Sequence, residues 1–194
     1  QGRISQGLLK KIIRQTSIAA SNDESRPIFT GTLMEIIDDR ITLVTTDTHR
    51  LSVRKAFWQG NTDEEKISVI IPTKTMVEIS RIISDEEEPI TVIVGNNQVC
   101  FNIGTITFFS RLIEGQYPSY RHVIPDSSRC RSKVRIKTKR LLEATERASL
   151  LVRDELKEKV SLIKLNAQDD VLKITSYAPE IGKIYEEMNI FLEG

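Results

Sequence analysis

Few residues in this 194-residue chain stand at spacings that chemistry requires. Asp47 and His49 lie two apart in Thr46-Asp47-Thr48-His49-Arg50, and a carboxylate beside an imidazole is the beginning of a general base. No nucleophile or oxyanion site accompanies the pair. A structural His–Asp contact is therefore the stronger reading, and an enzyme built on the two residues the weaker one. Glu86-Glu87-Glu88 gathers three carboxylates in a turn-like stretch, which reads as solvated charge rather than metal ligands. Cys100 and Cys130 lack a CxxC or His-rich setting and have only His49 and His122 to assist them, so zinc is not expected. Free thiols in a reducing compartment are. GxSxG, the P-loop, GxGxxG and HExxH do not occur in the sequence. The expectation is no catalytic residue, no metal and no cofactor.

The basic residues are better organised. Lys10, Lys11 and Arg14 flank an apolar stripe that contains no acid. Lys74 and Arg81 are seven apart and share a helix face, with Glu78 between them. Arg140 and Arg147 repeat that spacing around Glu143, and Lys139 and Arg153 add charge nearby. Solvated helix faces with internal ion pairs, worth about 0.3 kcal/mol each, are the simpler reading from composition. The functional reading is a set of helices presenting cations to one polyanion. Such phosphate contacts give affinity without sequence preference, and no base-reading motif or stacking box is visible.

Hydrophobic spacing predicts the elements that hold these residues. Leu8, Leu9, Ile12, Ile13 and Ala20 predict a helix from about Ser5, a plausible cap, to Ser21. Strand-like runs follow at 28–37, 40–46 and 50–57, with Asp38-Asp39 as the first turn. A short strand at 67–71 opens a second round. Pro72 stands where a helix begins, and Met76, Val77, Ile79 and Ile83 form its buried face. Strands at 90–94, 99–103 and 106–112 complete this round, with Gly95-Asn96-Asn97 as a hairpin turn. A third round has a strand around Val134 and Ile136, and a helix along Leu141, Leu142, Thr145, Ala148 and Val152. Its strands are read at 160–165, 171–175 and 183–192. The third round is read as a repeat of the first. Leu8-Leu9 followed by Arg14 matches Leu141-Leu142 followed by Arg147, and residues 38–43 match 169–174. The polar stretch Pro125-Asp126-Ser127-Ser128 reads as the linker between two domains, 1–126 and 127–194.

The chain carries 28 Lys and Arg against 27 Asp and Glu, a formal charge of +1, and 39% hydrophobic residues. This excludes disorder, an evenly basic DNA-coating protein and an acidic tail. It leaves a nucleic-acid partner open, because charge can be sorted by face. No apolar run approaches the roughly 18 residues of a membrane span, and no membrane partner is expected. The chain starts at Gln1, stops inside a strand-like pattern, and lacks a second helix in its last unit. A fragment of a longer protein is the expectation.

Two segments carry a specific likeness. One is Glu24-Ser25-Arg26-Pro27-Ile28-Phe29-Thr30-Gly31 with Leu43-Val44-Thr45-Thr46-Asp47-Thr48-His49-Arg50-Leu51. The other runs from Phe108 to Tyr120, through Leu112-Ile113-Glu114-Gly115-Gln116-Tyr117-Pro118, and ends in Val123-Ile124-Pro125. Together they resemble the middle domain of the bacterial β sliding clamps, the processivity subunits of the replicative polymerase. Residues 141–151 look like the first helix of that family's last domain, and residues 176–182 resemble a segment further into it.

The resemblance implies an α+β, DNA-clamp fold of repeated strand-helix-three-strand units, with helices on one face of antiparallel sheets. It implies a head-to-tail homodimer ring of full-length subunits around duplex DNA, bacterial, cytoplasmic and nucleoid-associated, without catalytic activity. Lys10, Lys11, Arg14, Arg26, Lys74, Arg81, Arg140 and Arg147 are then candidates to face DNA. The family also has a hydrophobic pocket for linear peptides of the polymerase, clamp loader and repair proteins, at the junction of its middle and last domains. The matching positions are Phe29, Thr46, Thr48, His49, Arg50, Leu51, Pro118 and Val123. Thr48 departs from the Gly or Ser common in this family. The alternative is a peptide-binding module of the same fold without a DNA role.

Overall fold

The computed structural model describes residues 1–60, 66–150, 163–178 and 182–193. The chain divides into two units, Gln1–Val123 and Ile124–Gly194. That division lies just ahead of the linker read from the sequence.

In the first unit, strand β1 (Gly2–Ser5) leads into helix α1 (Gln6–Thr16). Ser5 caps α1, its side chain accepting the Leu8 N–H at 3.3 Å. α1 is shorter than its apolar spacing predicts. The Thr16 hydroxyl bonds back to the Ile12 carbonyl at 2.8 Å, and the chain tightens into a 3-10 turn at Ser17–Ala19. Strands β2 (Gly31–Ile37), β3 (Arg40–Thr46) and β4 (Leu51–Phe57) form consecutive hairpins. The strand expected from residue 28 begins only at Gly31, because Pro27 opens a 3-10 turn at Pro27–Thr30. A short β5 (Gln59–Gly60) precedes β6 (Ile67–Pro72), helix α2 (Thr73–Ile82), β7 (Pro89–Val94), β8 (Gln98–Ile103) and β9 (Ile106–Arg111).

Each half is thus strand, helix, three strands, and the halves exchange their first strands. One sheet runs β5-β1-β7-β8-β9 and the other β4-β3-β2-β6. Both are antiparallel throughout. Alternation along the strands decides what each face touches. Met34, Ile36, Ile41, Leu43 and Ile71 point inward with Ile90, Val92 and Phe101 of the other sheet. They enclose Leu9, Ile12 and Ile13 of α1 and Met76 and Ile79 of α2. The Thr45 hydroxyl donates to the Thr16 carbonyl and ties the end of α1 to β3. The fold is α+β, with both helices packed on the inner faces of antiparallel sheets.

The second unit contains β10 (Lys133–Arg135), α3 (Thr138–Ser149), β11 (Ile163–Gln168), β12 (Val171–Ala178), β13 (Gly182–Asn189) and β14 (Phe191–Glu193). β12 lies between β11 and β13, and β10 pairs with β14. The single strand expected at 183–192 is broken at Ile190. Its core is Ala144 and Ala148 of α3 on Leu172, Ile174 and Met188.

The repeat is present, but the helices align one residue away from the match that the leucine pairs suggest. Leu9 is 1% exposed whereas its expected partner Leu142 is 54% exposed. Capping positions Ser5 and Lys137 instead equate Leu9 with Leu141, Ile12 with Ala144 and Thr16 with Ala148. One residue is about 100° of helix rotation, enough to move a side chain from core to solvent. Arg14 and Arg147 are therefore not equivalent positions. The hairpin match does reach the backbone: Asp38 and Asp169 have φ of 51° and 50°. Val152, Arg153, residues 160–162 of one expected strand, and residues 179–181 lie outside the described residues.

Candidate functional site

The outer face of the β4-β3-β2-β6 sheet carries a second apolar cluster of Leu33, Val44, Ile70 and Tyr120, with Leu51, Val53, Ile28, Ile113 and Tyr117 packed against it. Leu33, Val44 and Ile70 alternate with the inward-facing core residues of the same strands. Residues 112–123 cross this face as a strap. The Leu112 N–H donates to the Asn97 carbonyl at 2.9 Å and the Ile113 N–H to the Ile70 carbonyl at 2.8 Å. Gly115 then takes φ 134°, and a Cβ there would meet Ile28 at 2.9 Å. A cleft of about 580 Å³ opens along the strap, its lining including Leu33, Glu35, Ile70 and Pro118.

The turn between β3 and β4 is built by two side chains. The Asp47 carboxylate accepts the backbone N–H groups of His49 and Arg50 and the Arg50 Nε–H, each at 3.0 Å. The Arg50 N–H, more than any other group, holds the Asp47 carboxyl below the usual range. Thr46 Oγ1 donates to the Arg50 carbonyl at 2.8 Å and accepts the Thr48 N–H at 3.1 Å. Thr48 is held at φ 81°. The Asp–His contact expected from spacing thus runs to the His49 backbone, so this carboxylate shapes a turn. That removes the geometric basis for the general-base reading.

The two sequence segments meet on this face. The Tyr117 hydroxyl is buried beside the Thr46 backbone without reaching good hydrogen-bond geometry. Burial pushes it up to about 12, against a weaker pull from that backbone. Leu51 packs into the cluster, Pro118 borders the cleft, and Thr48, His49 and Arg50 are exposed on the neighbouring turn. Val123 is 68% exposed at the strap's end. Phe29 is half-buried, but its neighbour Ile28 is the residue that packs into the cluster.

Glu35 belongs to no motif in the sequence. It is a charge inside the apolar strand Leu33-Met34-Glu35-Ile36-Ile37, and that interruption was the available signal. Its side chain is 5% exposed. Tyr120 Oη donates to it at 2.7 Å, Arg121 at 2.8 Å and Lys66 at 2.8 Å. Burial alone would raise its pKa; the Lys66 and Tyr120 hydrogen bonds and the charges of Arg121 and Lys66 outweigh that and lower it. Burial, with Glu35 adding to it, raises Tyr120 to about 12.

The candidate polyanion-facing cations separate into two groups. Lys10 pairs with Asp85 at 3.1 Å, Lys74 with Glu24 at 2.9 Å, Arg81 with Glu78 at 2.6 Å, and Arg147 with both Glu186 oxygens at 2.7 Å. Lys11, Arg14, Arg26 and Arg140 have no ion-pair partner among the described residues. Arg14, Arg81 and Arg147 each stand in the last turn of their helix, where they also complement the carbonyl end of the dipole. Among the described residues no cluster of three or more metal-ligating side chains forms. No helix there is long and apolar enough to cross a membrane.

Comparison with known proteins gives a consistent result. Residues 3–119 match the family model for the DNA polymerase III beta subunit, central domain, and residues 121–194 the model for its C-terminal domain. The chain is 40% identical over 187 residues to the beta sliding clamp of Halalkalibacterium halodurans, covering 96% of this chain and 48% of that protein. The beta sliding clamp of Staphylococcus aureus is 38% identical with the same coverage. The chain thus spans about half the length of the curated relatives it matches. Among solved structures, the DNA polymerase sliding clamp of Bacillus subtilis aligns with a TM-score of 0.91 at 36% identity, covering 100% of this chain and 50% of that one. A sliding clamp from Pseudomonas aeruginosa bound to griselimycin aligns with a TM-score of 0.87 at 26% identity, covering 99% and 50%.

Proposed function

Since the chain belongs to the DNA polymerase III beta subunit family, the bacterial sliding clamps, we propose that it is the middle domain (1–126) and the first part of the last domain (127–194) of a ring-forming clamp subunit. The full-length subunit acts as a non-catalytic tether in the bacterial cytoplasm, at the nucleoid. Two subunits joined head to tail enclose duplex DNA, and topology keeps the ring in place. The helix cations supply a weak, sequence-blind and salt-sensitive attraction, which lets the ring slide instead of gripping. Half of the candidate cations being already engaged by acids fits a surface that must not hold DNA tightly. Lys11, Arg14, Arg26 and Arg140 carry more of this attraction than Lys10, Lys74, Arg81 and Arg147.

The outer sheet face is the docking site for linear peptides of the polymerase, clamp loader and repair proteins. Leu51 and Pro118, with Phe29 and Val123 at the margins, receive aliphatic or aromatic anchors, and Thr46, Thr48, His49 and Arg50 orient the peptide backbone. A micromolar complex needs about -8 kcal/mol, within reach of a few buried anchors. The observation that carries this reading is the convergence of the 46–51 turn and the 112–123 strap on one apolar face, with Tyr117 against Thr46. The pairing of four cations favours one competing reading, a peptide-binding module without a DNA role. Primer extension on a primed circular template decides between them. With clamp loader and polymerase present, adding the full-length subunit lengthens the products of single binding events. Unchanged product length, with peptide binding intact, leaves the module reading standing and overturns the tether.

A further inference from the structure

The strap is fastened very differently at its two ends. At its start, the Leu112 and Ile113 backbone N–H groups bond to Asn97 and Ile70. Beyond Ile113, among the described residues, no backbone hydrogen bond joins residues 114–123 to the sheet. The Tyr117 hydroxyl has no well-formed partner. The strap's far end is held by side chains: Tyr120, buried on Leu33, Val44 and Ile70, and the Tyr120 hydroxyl and Arg121 guanidinium, both bonded to Glu35 Oε2. Arg121 also lies over the Tyr120 ring at 5.2 Å, so the two act as one unit. On the other side Lys66 engages Glu35 Oε1. A buried carboxylate is retained in an apolar strand only where its partners compensate its desolvation, and here two of the three come from the strap.

We propose that Glu35 is the positioning residue of the peptide site: its carboxylate latches the far end of the strap and so sets where Pro118 and Val123 stand. The inference rests on the peptide-site reading above. Glu35 itself touches no peptide. It holds the wall that does, and an unlatched strap lowers the fraction of molecules competent to bind.

The test uses the full-length subunit, a Leu/Phe-containing peptide, and methyl NMR of Leu33 and Val44, whose resonances the packed Tyr120 ring shifts. Glu35→Gln keeps the shape and the Tyr120 hydrogen bond but removes the charge that holds Lys66 and Arg121. If the strap is then latched about one-tenth of the time, peptide Kd rises about tenfold. The Leu33 and Val44 methyl resonances move away from their ring-shifted positions, while those of Leu9 and Ile12 on α1 stay in place. Arg121→Gln, at a side chain 58% exposed, tests the same latch without touching the buried carboxylate. It weakens binding in the same direction, and Arg121→Lys recovers most of the loss. If Glu35→Gln fails to fold, the Arg121 pair of variants decides. Peptide affinity within about twofold of the unsubstituted protein in both neutral variants overturns the latch, as does weakened binding with unchanged Leu33 and Val44 methyl resonances. If the unsubstituted protein binds no peptide, the peptide-site reading falls separately. The Leu33 and Val44 methyl resonances alone then decide whether Glu35 is a latch.

Discussion

Replacing Lys11 and Arg14 together by Gln should change how DNA binding depends on salt, and replacing Lys74 and Arg81 should not, although each pair removes two positive charges. The distinction comes from what the four side chains touch. Lys74 and Arg81 are bound to Glu24 and Glu78, whereas Lys11 and Arg14 have no acid partner among the described residues. A cation that meets a phosphate releases a counterion and adds about 0.9 to the slope of log affinity against log salt. A cation that stays on its carboxylate adds little. Two lost contacts lower the slope by about 1.8, so a fourfold rise in salt should cost the Lys11/Arg14 variant roughly tenfold less affinity than the unsubstituted subunit. The Lys74/Arg81 variant loses affinity at low salt through net charge, with its slope nearly unchanged. The assay is fluorescence anisotropy of a labelled linear duplex with full-length subunit, titrated across a salt series. Equal slope changes in the two variants would refute the reasoning, because they would mean that the ion pairs open to let Lys74 and Arg81 reach phosphate.

Other outcomes follow from the same contacts. Leu51→Ala or Pro118→Ala in the full-length subunit should weaken a Leu/Phe-containing peptide about tenfold by calorimetry, and unchanged affinity would remove those residues from the site. Thr48→Gly should stabilise the unit by about 0.5–1 kcal/mol in denaturant titration, since a β-branched residue is held at φ 81°; a lower midpoint would show that Thr48 is not strained. Glu35 is held below its ordinary 4.5, so its contribution to stability is present above that pH and is lost as pH falls through the lower folded value. Glu35→Gln should therefore flatten part of the acid limb of stability measured between about pH 3 and 7, and an unchanged limb would count against the charged network.

The legible parts of this chain are those whose signal is local. Leu9, Ile12 and Ile13 recur at helical spacing and do lie on the buried side of α1, with Ser5 capping it. Asp38-Asp39 and Asp169-Asp170 mark turns, and both hairpins form there with positive φ. β1 and β5 have no sequence signal, because four and two residues carry no period; pairing with β7 and with each other creates them. Ile28-Phe29 looks like strand, but Pro27 fixes a 3-10 turn. Leucine pairs suggested the wrong helix register, since Ala144 and Ala148 are small enough to sit closest to the sheet and leave Leu142 outside. The candidate peptide residues were legible only as a family resemblance. The partners that give them a setting, Glu35 with Tyr120 and Arg121 some 85 residues on, are joined by tertiary structure alone. The same holds for Lys10, whose acid, Asp85, lies 75 residues away.

The most direct test of the central claim is topological retention. The full-length subunit is loaded onto a nicked circular duplex and passed through a sizing column in salt high enough to screen phosphate contacts. It should stay with the circle and leave once a single cut makes the DNA linear. Loss from the intact circle at the same rate as from the linear form would contradict an encircling clamp.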